Sequence, residues 1–223
     1  MKKLLLRALL VLLAGSTTPG LAQASDYVFS QSMQTFSVPT SGLLGPIGLP
    51  LATPALFPMA WDDPTVNVTF PFPINFNGQV FNGGQLTANG YLAIGDNYIL
   101  PFYYDLYSRT GPSITATRAN GSNLLTGASS TAGLKIGMQI SGSGIPASTI
   151  ITGISENSIT MSSTASDSGT GAIASSSGIY ASVSGTAPER TYTITFVHLA
   201  YYPVTQDNID FKLEIDESTG VIR

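Results

Sequence analysis

The chain contains no cysteine. That absence excludes disulfides, a thiolate nucleophile, zinc held by thiolates, iron–sulfur clusters and a lipid-modified cysteine at an N-terminal leader. A single histidine, His198, excludes any centre that needs two imidazoles. Charge is scarce, at 10% of the 223 residues, with 13 acids against nine bases. The bases are scattered, so no basic stripe is offered to a polyanion, and nucleic acid and anionic membrane surfaces are not expected as partners. Helical periodicity is almost missing, and no apolar run beyond residue 24 is long enough to cross a bilayer as a helix.

Residues 1–24 have the three parts of a secretory signal. Lys2, Lys3 and Arg7 form the positive segment, Leu9 to Ala14 the core of the apolar segment, and Ala22-Gln23-Ala24 the small-residue cleavage site. The apolar run is short of the roughly 20 residues of a spanning helix, and Gly15 to Gly20 interrupts it. The expected product is secreted or held at the cell surface, with no membrane span after cleavage. Cleavage removes three of the nine bases and none of the 13 acids, which makes the remaining chain distinctly acidic.

What the chain does have is strand pattern. In Asn208–Asp216, Ile209, Phe211, Leu213 and Ile215 fall on one face, and Asp210, Lys212, Glu214 and Asp216 on the other. Thr191–Phe196 repeats the alternation, with Tyr192, Ile194 and Phe196 inward and threonines outward. Thr65–Phe76 alternates too, but Pro71 and Pro73 lack ladder donors, which predicts an edge or a bend in its second half. Asn89-Gly90, between Leu86 and Ile94, is a strong hairpin signal. Composition shifts between about 113 and 177: aromatics vanish from Tyr107 to Tyr180, and short apolar runs alternate with Ser, Thr and Gly. A structureless loop of that length inside a compact domain would be unusual. The predicted fold is all-β: an antiparallel β-sandwich, jelly-roll or immunoglobulin-like, built from 25–112 and 178–223, with a small all-β module inserted at 113–177.

Two resemblances follow from particular stretches. Tyr27–Ser32, Phe70–Gly78, Leu86–Gly95, Leu100–Leu106, Gly185–Ile194 and Phe211–Ile222 resemble a β-sandwich module of large secreted surface proteins in gliding-type bacteria that use type IX secretion. In that family a strand ends in a Trp-Asp-Asp-Leu-like sequence, where this chain has Tyr103 and Tyr104 in place of the Trp and first Asp. Its Gly-x-Ala-Pro-x-Arg turn is matched by Gly185 to Arg190. Gly133–Pro146, Thr149–Ile154 and Ser158–Ser162 resemble a separate short β repeat of phage-tail and bacterial surface proteins. Together they imply a surface sandwich carrying a grafted β module, and they say little about a ligand.

Candidate chemistry is thin. His198 falls in phase with Tyr192, Ile194 and Phe196, and no Gly-x-Ser-x-Gly elbow accompanies it, so a histidine satisfied near a strand end is expected rather than a catalytic one. Ser141 to Gly144 lacks the lysine and following helix of a phosphate loop. No catalytic residue and no cofactor is expected. Calcium is the one metal whose hard oxygen ligands suit acids on loops, and Asp62, Asp63, Asp105 and Asp207 are its candidates. Trp61, Tyr103, Tyr104, Tyr201 and Tyr202 are candidates for a glycan platform, because an aromatic ring stacks on the apolar face of a pyranose.

The functional expectation is therefore a non-enzymatic secreted surface module with a structural or adhesive role, its partner a surface glycan or protein. The alternative is a carbohydrate-binding module that tethers a catalytic domain. Val221-Ile222-Arg223 has the look of a strand beginning, and the expectation is that this chain is the N-terminal part of a larger protein. If the leader is read correctly, N-terminal sequencing of the exported product will start at Ser25. A product retaining Met1 in the membrane fraction would refute that reading.

Overall fold

A computed structural model describes residues 36–46, 64–76, 78–101, 104–202 and 204–223. The described residues contain no helix and form fifteen strands in three antiparallel sheets. The first sheet contains β1 (Leu43–Pro46), β13 (Gly178–Ser184), β14 (Thr191–Tyr201) and β15 (Val204–Asp216) in that order, with β6 (Leu106–Ser108) paired to the far end of β14. The second is a meander of β2 (Thr65–Phe76), β3 (Gln79–Thr87), β4 (Leu92–Ile94) and β5 (Asn97–Ile99). These two sheets close on one core. Phe70, Phe72, Ile74, Leu86, Leu92 and Ile94 meet Ile179, Tyr192, Ile194, Phe196, Leu213 and Ile215. The fold is an antiparallel β-sandwich, as the alternation predicts, and each large side chain sealed there contributes about 1.5–3 kcal/mol of transfer free energy.

Local chemistry explains the details. β2 pairs with β3 from Thr65↔Thr87 to Thr69↔Gly83 and resumes at Ile74↔Phe81. Between those points β2 advances five residues and β3 only two, because Pro71 and Pro73 cannot donate to the ladder. The Asn89-Gly90 turn forms as expected: the Thr87 N–H donates to the Tyr91 carbonyl at 2.9 Å, and the Gly90 N–H to the Thr87 carbonyl at 3.1 Å. Asn89 Oδ1 accepts from the Leu106 N–H at 2.8 Å, so the hairpin of one sheet is tied to a strand of the other.

The third sheet is made wholly of residues 114–176. Its strands are β7 (Ile114–Arg118), β8 (Leu124–Leu125), β9 (Gln139–Ser141), β10 (Thr149–Ile154), β11 (Ile159–Met161) and β12 (Gly169–Ser176). β7 and β12 pair from Ile114↔Ile173 to Arg118↔Gly169, which brings the two ends of the segment together. Its core holds Leu125, Met138, Ile140, Ile151, Ile159 and Met161, and it also takes in Tyr180 of β13 and Val197 of β14. Buried Arg118 pairs with Asp167 and donates to Ser143 Oγ at 3.2 Å, pinning two turns.

β14 is buried on both sides, since every residue from Tyr192 to Ala200 is buried. Its outward threonines, Thr193 and Thr195, are covered rather than wet. Beside β13, the Pro39 carbonyl accepts from Tyr180 Oη at 3.2 Å, and Val38 and Leu43 pack against the second core.

Gly90 has φ of 81°, and a Cβ there would lie 2.6 Å from Phe211 Cζ. Gly90→Ala therefore combines left-handed backbone strain with overpacking, and should destabilise the protein by about 3 kcal/mol. Urea unfolding should show a lowered midpoint at unchanged slope; an unchanged midpoint would refute the packing described.

Candidate functional site

Two places bring chemistry-bearing side chains together. The first is a tyrosine corner. β6 pairs with the end of β14 through Leu199↔Ser108, Ala200↔Tyr107 and Tyr201↔Leu106, and β14 then turns into β15 through Tyr201↔Val204. The Tyr202 N–H donates to the Asp105 carbonyl at 2.9 Å, closing the corner. Tyr104 packs edge-on against Tyr201 with ring centroids 5.2 Å apart, and Tyr107 against Tyr202 at 6.2 Å. Tyr107 is buried, whereas Tyr104 is 54% and Tyr202 49% exposed. Edge-to-face packing fixes the orientation of two wet rings without covering them.

Three of the five platform candidates, Tyr104, Tyr201 and Tyr202, thus come together. Trp61 and Tyr103 lie outside the described residues, as do the calcium candidates Asp62 and Asp63. Asp207 belongs to β15, but its side chain is outside the description. Asp105 is exposed beside the tyrosines. Among the described residues, no three His, Asp or Glu side chains gather as a metal site would require.

The second place is the seam between the sandwich and the 114–176 sheet, centred on His198. The expected inward phase of His198 is not what the structure shows. Phe196 opposes Phe211, but Leu199 opposes Ile209, so Val197 and His198 together face Asp210 alone. This is a β-bulge, and it reverses the phase of the strand. Leu199 takes the inward place, Val197 turns to the second core, and His198 sits buried at the bulge with a left-handed φ of 63°.

Both crossings of the chain between the sandwich and the 114–176 sheet end here. Thr110 bridges Ser176, and the Ser177 N–H donates to the Arg109 carbonyl at 2.9 Å. Ser177 Oγ donates to the His198 carbonyl at 2.5 Å and accepts from the Arg109 N–H at 2.8 Å. Across the bulge, Asp210 Oδ1 accepts from the His198 N–H at 2.8 Å, and its Oδ2 binds Lys135 Nζ at 2.6 Å. Lys135 opens a turn of the 114–176 segment, in which the Met138 N–H donates to its carbonyl at 3.2 Å. Gly137, in that turn, has φ of 90°, and a Cβ there would lie 2.7 Å from Val197 Cγ2.

Burial holds the His198 imidazole below its ordinary value, and the nearby Arg109 and Lys135 charges act the same way. Asn208 and the Thr110 carbonyl oppose them. The sequence did not single out Arg109, Lys135, Ser177 or Asp210. The one available signal was Lys135, the only base between Arg118 and Arg190.

No protein-family model, curated protein or solved structure matches the chain.

Ser177→Ala strands the His198 carbonyl and the Arg109 N–H where the side chain that joins them is buried. The expected loss is about 1–3 kcal/mol of stability. Differential scanning calorimetry should show it, and a melting profile identical to wild type would refute the linking role of Ser177.

Proposed function

We propose that the chain is a secreted, non-enzymatic surface module with a structural or adhesive role. The observation that carries this reading is the tyrosine corner: Tyr104 and Tyr202 stand about half exposed, each held edge-on by another tyrosine at the junction of β6, β14 and β15. Rigid amphipathic rings lose little conformational entropy on contact, which suits adhesion to a glycan or a protein surface. The leader at 1–24 and the resemblance to surface modules of type IX-secreting bacteria support the location. The ion pairs of the described residues support a structural role, because all but Lys212–Glu214, which lies within β15, join separate strands or turns of the fold itself.

The same corner favours a second reading, a carbohydrate-binding module that tethers a catalytic domain, because wet tyrosine faces stack on sugars. Retention on immobilised polysaccharides and on protein-coated surfaces separates the two. Replacing both Tyr104 and Tyr202 by Ala should abolish retention on whichever surface holds the wild type, with the melting temperature nearly unchanged. Retention by polysaccharide alone moves the conclusion to the tethering reading. Retention unaffected by the double substitution would overturn the role of the corner.

A further inference from the structure

We propose that the seam between the sandwich and the 114–176 sheet is an acid-sensitive latch whose titrating group is His198. The geometry is that of a switch with one closed state. His198 is only 8% exposed, and its backbone is gripped from two elements: Ser177 on its carbonyl and Asp210 on its N–H. Its Nδ1 lies 3.3 Å from Asn208 Oδ1. An amide oxygen only accepts, so with the side chain placed this way Nδ1 is the donor. Among the described residues, Nε2 is buried with no hydrogen-bond partner.

Protonation would put a second N–H at that buried, unpartnered position and add a charge to the site. Among the described residues, the charges that act on the ring are Arg109, beside the first crossing, and Lys135, in the 114–176 segment; the carboxylate at the bulge is Asp210 of β15, bound to the His198 backbone N–H. Asp210 already has one oxygen on the His198 N–H and the other on Lys135 Nζ. Burial and the Arg109 and Lys135 charges disfavour the imidazolium, and Asn208 and the Thr110 carbonyl offset this only in part.

The sign follows. An imidazole held down in the folded chain is protonated first in the opened one. The seam is therefore fully stable above about pH 6.5 and loses stability as pH falls below that value. Opening the bulge gives the ring water and releases the contacts of Ser177, Asp210 and Lys135 together, so both crossings loosen in one step. The ion-paired carboxylates Asp167, Asp216 and Glu217 are held below their ordinary range by Arg118, Arg223 and Arg190, and contribute only at much lower pH.

Hydrogen exchange of the full chain, corrected for intrinsic rates, tests this at about pH 7.5 and about pH 5.5. Protection of amides at 109–111, 175–178 and 197–199 should fall about threefold or more at the lower pH, while β2 to β5 keep theirs. His198→Asn is the control: Asn tolerates the left-handed backbone and does not titrate, so its seam should show no pH dependence. A wild-type seam indifferent to pH, or a variant whose seam weakens as the wild type does, overturns the proposal. If the variant fails to fold, the ring proton of the one histidine decides. A midpoint below the ordinary value, titrating in step with the Ser177 amide, supports the latch; a midpoint at or above it refutes the latch.

Discussion

The whole arrangement depends on β14 being buried on both faces while serving two separate cores. A regular strand can send alternate side chains to only two sides, and β14 begins that way, with Tyr192, Ile194 and Phe196 against the second sheet. Phe196 stacks on Phe211 at 4.3 Å, anchoring β15 to the same core. The bulge at Val197–His198 then shifts the phase by one residue. Val197 becomes part of the 114–176 core, and Leu199 returns to the sandwich. Alternation alone gives Val197 to the second core; the extra residue is what returns Leu199, rather than His198, to the sandwich core. The left-handed φ at His198 is the local cost, held in place by Ser177 and Asp210.

Charge plays a subordinate, positional part. Five of the nine Lys and Arg residues are engaged in ion pairs of the described fold: Arg118, Lys135, Arg190, Lys212 and Arg223. Arg190 shows what such a pair can do. It holds Glu217 and lies 5.1 Å over the Phe72 ring, so it joins a turn before β14 to the turn after β15 and to the facing sheet. Exposed pairs contribute little individually; their effect is to set which turns meet. With so much of the sparse charge used internally, aromatic rings are the natural means of contact, and the exposed ones at the β6–β14 corner are tyrosines.

The legible and illegible parts of the chain divide along physical lines. The alternation in Asn208–Asp216, the proline interruption of β2 and the Asn89-Gly90 turn all formed as read, because each depends on neighbouring residues. The tyrosines were visible individually, but Tyr104 meets Tyr201 only because β6 pairs with the end of β14, a long-range pairing that no local pattern encodes. His198 was placed on the wrong side for a related reason. Bulges often declare themselves through glycine at the left-handed position, and here that position is a histidine in an otherwise regular apolar run.

By itself, then, the sequence determined the all-β class, the sandwich alternation, the turns and the distinct composition of 113–177, since period-two patterning and turn chemistry act within a few residues. Only the tertiary structure decided that the 114–176 sheet shares its core with Tyr180 and Val197, that the threonine face of β14 is covered, and that Lys135, Asp210, Ser177 and His198 meet. Those outcomes come from packing two cores against one strand, and packing is a property of surfaces that meet only when the whole chain is folded.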